Sequence, residues 1–261
     1  MAKYSKNYNL VLPEPQDYYD VAVFNENFKS VDEIMAATGN DRVVVASFDT
    51  NSQRKRVADY ICDANNAVQV LEQAIKSLNS GGELFLMEGT YYINSCLRID
   101  KSVVIRGRGC HFTKLVKTEG TEALLNICAD AVLLEGLMLA DNYDNRTGLR
   151  DIVLVGKDNA IVRDVFFVQK GQQLSQSSII RLVADSRYTR IDNCRFFREY
   201  SLNERCMLNF SKFSFSGCIN GNILSGNDNF SVNFKDRESY DNTVVCGNYK
   251  TEIYINSVPA E

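Results

Sequence analysis

Six short apolar motifs of this 261-residue chain each carry a glycine, asparagine or aspartate, and they recur at a nearly constant interval. The positions are Gly107, Gly136, Asp164, Asn193, Gly221 and Gly247, with gaps of 29, 28, 29, 28 and 26 residues. An apolar residue stands two before each: Ile105, Leu134, Val162, Ile191, Ile219 and Val245. Glycine, asparagine and aspartate enter the left-handed backbone region most cheaply, so a position restricted to these three reads as a sharp bend. Such a bend every 28 or so residues, between apolar runs too short for helices, predicts the coils of a solenoid. A second register, Ile127, Val155, Val183, Phe210 and Phe234, repeats the period. From Glu83 to about Ile255 the runs are rich in Ile, Val, Leu and Phe, as parallel strands buried on one face require. The absence of proline between Pro15 and Pro259 fits a backbone engaged in inter-coil ladders. The expected fold class is therefore all-β, a parallel β-helix solenoid.

Two segments precede the repeats. Residues 1–40 form one unit, an attachment segment with a proline-marked extended stretch and a short amphipathic helix. Asn25 is its expected cap, and Phe28, Val31, Ile34 and Met35 share a face. So short a helix must dock its stripe on something, on its own domain or on another subunit or particle. The second unit, residues 41–261, opens with a strand over 42–50. A helix over 66–80 follows, with a capping box at Asn66–Gln69 and a stop at Gly81-Gly82. Its position suits a lid over the open solenoid end, where unpaired backbone and apolar core must be covered.

A net charge of −4 argues against a nucleic-acid surface. The eight cysteines include no C-x-x-C pair and there is a single histidine, which argues against a zinc site; the cysteines are expected to be reduced core residues. His111 reads as structural. No secretory leader or membrane-length apolar run is visible, so synthesis in the cytoplasm without a signal peptide is expected. No phosphate loop, dinucleotide fingerprint or Ser/His/Asp arrangement occurs, and neither a cofactor nor a metal is implied. The stretch Asp141 to Asp144 has oxygen ligands without an EF-hand loop's pattern.

Residues just before successive bends should stack: Arg106, Glu135, Arg163, Asp192, Asn220 and Cys246. Their alternating sign is what a stable stacked surface needs. Function in solenoids concentrates in loops on one side. Polar, partly aromatic insertions occur at 141–150, 170–176 and 198–205, at equivalent points of adjacent coils, so they should cluster. Their side chains suit sugar hydroxyls, with rings to stack on and polar groups to fix orientation. The candidate contacts are Asp141, Tyr143, Asp144, Arg146, Arg150, Gln172, Gln173, Arg198, Glu199, Tyr200, Glu204 and Arg205. Ordinary solvated loops are the alternative. Glycoside hydrolysis needs two facing carboxyl groups, for which Asp141, Asp144, Asp151, Asp164, Asp192, Glu199 and Glu204 are available, with no pairing dictated by spacing.

Residues 42–110 resemble the entry segment of right-handed parallel β-helix proteins of the pectin-lyase-like superfamily. The resemblance lies in Asp63-Ala-Asn-Asn before a helix, Gly81-Gly82 and Glu88-Gly89-Thr90-Tyr91, then Leu97-Arg-Ile and Gly107-Arg-Gly109. It implies a right-handed solenoid with an N-terminal cap helix and is unspecific for activity. Residues 7–35, with Asn7-Tyr8, Leu10, Pro13 and Phe24-Asn25-Glu26-Asn27, are similar to the leading segment of phage and prophage tail proteins. That likeness implies a tail-fibre or tailspike-like surface protein, attached to the tail or to sister subunits through residues 1–40. Its implied assemblies include a homotrimer. The implied location is a phage particle, or the cell surface after release, and the implied partner is a polysaccharide. A polysaccharide lyase or glycoside hydrolase on the same scaffold, and a non-catalytic spacer, are the alternatives. The calcium-aspartate and basic motifs of pectate lyases and the paired aspartates of polygalacturonases are not recognisable, so the catalytic residues are unknown.

Overall fold

The computed structural model describes residues 3–5, 10–12, 21–38, 40–118, 123–141, 151–170, 178–198, 207–225, 230–248, 251–256 and 258–259. The chain divides into two compact units, Met1–Asn40 and Asp41–Glu261. In the first, strands Lys3–Tyr4 and Val11–Leu12 pair antiparallel, and a helix spans Val21–Thr38. The helix starts four residues before its expected cap, so Asn25 lies inside it. Asn27 has a separate task. Its amide accepts from Val11 N–H (3.0 Å) and donates to Val11 C=O (2.9 Å), tying the extended stretch to the helix.

The second unit is a parallel β-solenoid built on three sheets. Sheet I stacks Leu78–Leu86, Val104–Gly107, Leu133–Glu135, Ile161–Arg163, Ser186–Asp192, Phe215–Asn220 and Thr243–Cys246, extended at its start by Asn40–Ala46 and Tyr60–Ile61. Sheet II stacks Gly89–Ile93, Thr113–Lys117, Met138–Asp141, Phe166–Gln169, Arg195–Arg198 and Ile223–Ser225. Sheet III stacks Leu97–Ile99, Leu125–Ile127, Val153–Val155, Ile180–Leu182, Leu208–Phe210, Phe230–Phe234 and Thr251–Ile255, closed by an antiparallel Val258–Pro259. Each of six successive laps contributes one strand to each sheet in turn, and the last lap contributes strands to sheets I and III among the described residues.

The bends between sheets I and II stand in one file. Gly109 N–H donates to Gly136 C=O (2.8 Å), Gly136 to Arg163, Asp164 to Asp192, Asn193 to Asn220 (2.9 Å) and Gly221 to Cys246. Gly136, Asp164, Asn193, Gly221 and Gly247 have φ between 50° and 65°. Gly107 differs. Its φ is not left-handed, and it is glycine because a Cβ there would lie 2.5 Å from Gly136 O and 2.8 Å from Leu137 Cβ. Below the bends, Asn222 is fully buried. It accepts from Cys194 N–H (2.9 Å) and donates to Ile191 C=O (2.8 Å) and Asn248 Oδ1 (2.9 Å).

Inner columns supply the core. Ile105, Leu134, Val162, Ile191 and Ile219 are paired in register across sheet I and buried. Phe167 and Phe196 stack with centroids 4.9 Å apart in sheet II. In sheet III, Leu182 and not Val183 stands beside Val155; Val183 points outward and is exposed. The expected period holds there and its phase is off by one, which moves a strand residue to the other face.

The helix before the first lap spans Ala67–Ser77 and buries Ala67, Val68, Leu71, Ala74 and Ile75 in the same core. It is shorter than 66–80. Asn66 makes no side-chain cap; its Oδ1 accepts from Asp63 N–H, while Asp63 Oδ1 accepts from the N–H groups of Asn65 and Asn66. The helix stops at Ser77, with Lys101 donating to the carbonyls of Lys76 (2.8 Å) and Leu78 (2.6 Å). Gly81-Gly82 lies within the following strand, Gly81 at φ +85°. The expected strand over 42–50 is Asn40–Ala46, and Ser47–Thr50 turns, with Thr50 N–H on Ser47 C=O. This turn accounts for the Glu88-Gly89-Thr90 motif. Asp49 Oδ1 accepts from Thr90 N–H and Ser47 Oγ–H, and any Cβ on Gly89 would collide with that carboxylate.

Only Cys62 and Cys194 are core cysteines among the described residues. Cys96, Cys110, Cys128 and Cys218 are half-buried and Cys246 is exposed; all seven are free, and Cys206 lies outside the described residues. Burial pushes the Cys194 thiol up to about 12 and, with the charge of Asp63 beside it, the Cys62 thiol up to about 12. His111 sits exposed in the turn after Gly109. No helix among the described residues is long and apolar enough to cross a membrane.

Candidate functional site

Sheet II strands end where the chain leaves for sheet III; the position is apolar on the first strand, at Ile93, and on the next four a polar file replaces it. Lys117, Asp141, Gln169 and Arg198 are partners in register on four successive strands. All four are buried, Asp141 completely. Arg198 Nε–H donates to Gln169 Oε1 at 2.8 Å. Side-chain alternation sets the file on the same side as the inner residues Leu115, Leu139, Phe167 and Phe196, and its polar ends lie where that core stops. Next to the file, Ala140 and Val168 alternate to the outer side and are buried nonetheless.

The three insertions begin at this file. Of the expected contact residues, Asp141 and Arg198 belong to it. Tyr143, Asp144, Arg146, Arg150, Gln172, Gln173, Glu199, Tyr200, Glu204 and Arg205 lie outside the described residues. The register shows that the roots of the three loops stand on neighbouring coils, one strand spacing apart, or about 4.8 Å.

The chain returns to sheet III through a second polar cluster. Asp151 Oδ1 accepts from Ser178 N–H (2.7 Å) and its Oδ2 accepts from Arg181 Nε–H (2.7 Å). The side chains of Asp151 and Arg181 are 6 % and 13 % exposed. Arg181 is one of an outward column, Arg98, Asn126, Leu154, Arg181 and Asn209, held in register across sheet III. Asn126 Oδ1 is buried and has no hydrogen-bond partner among the described residues, while Asn209 Oδ1 accepts from Ser211. At the helix end the column runs into a depression of about 260 Å³ lined by Glu72, Ile75, Lys76, Arg98, Asp100 and Lys101. This amide-rich face beside the loop feet is not among the sequence-based expectations. Its signal is nonetheless there, as the polar middle residue of the runs Leu125–Ile127, Ile180–Leu182 and Leu208–Phe210.

Of the other expected acids, Asp164 and Asp192 are described and do not join this cluster, while Asp144, Glu199 and Glu204 lie outside the described residues. Asp164 and Asp192 lie at the bends between sheets I and II, Asp192 ending a sheet I strand and Asp164 preceding the strand Phe166–Gln169, at whose far end the polar file stands. The charge file expected on sheet I is present: Arg106 bridges Glu83 (3.3 Å) and Glu135 (3.2 Å), and Arg163 reaches Glu135 at 2.8 Å. Asp192 turns to Arg190 (2.9 Å). These are neutralised surface pairs.

No protein-family model matches the chain, and no curated protein matches it. Among solved structures, a pectin methylesterase variant in complex with a hexasaccharide superposes with a TM-score of 0.50 at 10 % identity, covering 81 % of this chain and 80 % of that one. The shared feature is the β-helical fold. Pectin methylesterase PemA from Erwinia chrysanthemi gives 0.48 at 10 % identity over the same shares of the two chains. ORF18 of Geobacillus virus E2 gives 0.39 at 14 % identity, covering 98 % of this chain and 54 % of that one, so this chain spans about half its length. The last two superpositions are too loose to add to the first.

Proposed function

We propose that this protein is a right-handed β-solenoid of the phage or prophage tail type that binds a polysaccharide. The loops at 141–150, 170–176 and 198–205 and the outward column of sheet III form its contact surface. The observation that carries this reading is the register Asp141, Gln169, Arg198, which roots all three insertions side by side. An amphipathic floor adjoins them, with amides at Asn126 and Asn209, a guanidinium at Arg181 and an apolar rung at Leu154. Amides and guanidinium groups match hydroxyls, and apolar rungs match the C–H faces of sugar rings. A pectin methylesterase with this fold has been solved with a hexasaccharide, which fits the choice of ligand class. In this proposal residues 1–40 attach to the tail or to sister subunits in a homotrimer, and the protein is displayed on the particle.

Binding is favoured over cleavage by one feature. Asp151, a carboxylate beside the loops, has both oxygens engaged by Ser178 and Arg181 and so holds the loop feet rather than facing a ligand. Incubation with a panel of purified capsular and cell-wall polysaccharides, followed for retention and for new reducing or unsaturated ends, tests the reading. Retention without new ends is expected. New ends would establish a lyase or hydrolase, and no retention would leave a structural spacer.

A further inference from the structure

We propose that the face around the first bend of the solenoid is a docking surface for an acidic partner protein. Three segments meet there: the turn and short helix at 47–56, the strand start at 88–92 and the bend at 108–114. Hydrogen bonds fasten them to one another. Thr50 Oγ1–H donates to Glu88 C=O (2.7 Å), Asp49 Oδ1 accepts from Thr90 N–H (2.8 Å), and Gly89 N–H donates to Phe112 C=O (2.8 Å). Lys55 Nζ reaches back to Phe48 C=O at 2.6 Å. The surface is therefore built before any partner arrives, which keeps the ordering cost of docking low.

Apolar rings stand open on it. Phe112 is 63 % exposed and Phe48 37 %, the latter stacked on half-buried Tyr92 with centroids 5.6 Å apart. The same three segments carry Arg54, Lys55, Arg56, Arg108 and Lys114 against only Asp49 and Glu88, on a chain whose net charge is −4. Both carboxylates are engaged. Glu88 bridges Arg54 (3.2 Å) and Arg108 (3.0 Å), and Asp49 holds Thr90 and Ser47. Arg56, which is exposed, and Lys114, beside Thr90 in sheet II, form no ion pair among the described residues. The positive excess is left for a partner to neutralise, and charge complementarity assigns that partner carboxylates. Phenylalanine beside arginine is the composition of protein interface cores, and exposed rings rimmed by charge mark such surfaces.

The proposal does not rest on the polysaccharide reading. Fluorescence anisotropy of the full chain with a labelled peptide of repeated glutamate-glutamate-phenylalanine tests it. That probe should bind, and raising the ionic strength should weaken it. Peptides with serine for phenylalanine, or lysine for glutamate, should bind at least tenfold more weakly. The doubly substituted R56E/K114E chain and the F112S chain should each lose at least tenfold with Tm unchanged, and R163Q, on the charge file of sheet I, should lose nothing. No binding of the probe, equal binding of the serine peptide, or binding that either variant leaves unchanged would overturn the proposal.

Two other occupants are separable from this one. Retention on the polysaccharide panel should be equal for the wild-type and R56E/K114E chains; a loss would give the face to the glycan and overturn the choice of a protein. Light scattering should find the same mass for both chains. A wild-type mass that falls in the variant would seat a second copy on the face and overturn the choice of a different partner. A wild-type chain that retains no polysaccharide removes the function proposed above, while the peptide measurement still decides this surface.

Discussion

Replacing Asn222 by alanine should be among the most damaging single changes in the solenoid. The side chain is fully buried beneath the bend file. It satisfies the N–H of Cys194 at 2.9 Å and the carbonyl of Ile191 at 2.8 Å, and it meets Asn248 at 2.9 Å. Alanine leaves the first two groups buried and unmatched. Each stranded group costs about 1–3 kcal/mol, so the total is about 2–6 kcal/mol. For a unit of this size 1 kcal/mol moves Tm by about 2–4 °C, and a loss near the middle of that range lowers Tm by roughly 8–16 °C. Aspartate should be no better, because its second oxygen would face the acceptors at Ile191 and Asn248. Denaturant and thermal unfolding followed by circular dichroism measure the loss, with the exposed Asn220→Ala as a control within about 0.5 kcal/mol. A loss for N222A below about 1 kcal/mol would refute the claim that the amide stitches adjacent bends.

Other expectations are independent of this one. Tyr188 holds φ +58° and is 69 % exposed, so Y188N should raise stability by about 1 kcal/mol by relieving left-handed strain, seen as a higher Tm. Thiol titration of the native chain should find Cys246 reactive at once and Cys62 and Cys194 reactive only on unfolding, because burial holds both thiols protonated. Burial alone would raise the Asp49 pKa, yet the Thr90 N–H and Ser47 hydroxyl outweigh it and hold it below 3.8. Its folded pKa is depressed, so its contribution is complete above the unfolded value and lost as pH falls through the folded one. D49N should therefore flatten the acid limb of a stability–pH curve below about pH 4.

The bend file was legible because glycine, asparagine and aspartate alternating at one fixed interval share little except ease of entry into the left-handed region. The opposite corner, between sheets III and I, was not. There Ala131 and Asn159 take φ of 55° and 58°, and Tyr188, at the register shift inside the strand Ser186–Asp192, takes 58°; only one of the three belongs to a residue type that advertises a left-handed turn. Tertiary ladders such as Ala131 N–H on Asp158 C=O and Asn159 N–H on Arg187 C=O hold them there. The capping box at Asn66 failed for a related reason: its side chain found a nearer partner in the Asp63 turn. Of the proposed contact surface, the loops could be located because they interrupt a period. The sheet III floor could not, since Asn126, Arg181 and Asn209 each look like an ordinary outward residue until register aligns them.

Amide-exchange footprinting with a retained polysaccharide bound tests the central claim most directly. Protection should appear together in peptides covering 142–150, 171–177 and 199–206 and in the sheet III strands that carry Asn126, Arg181 and Asn209, with sheet I unchanged. Protection restricted to a single loop, or appearing along the charge file of sheet I, would contradict the account.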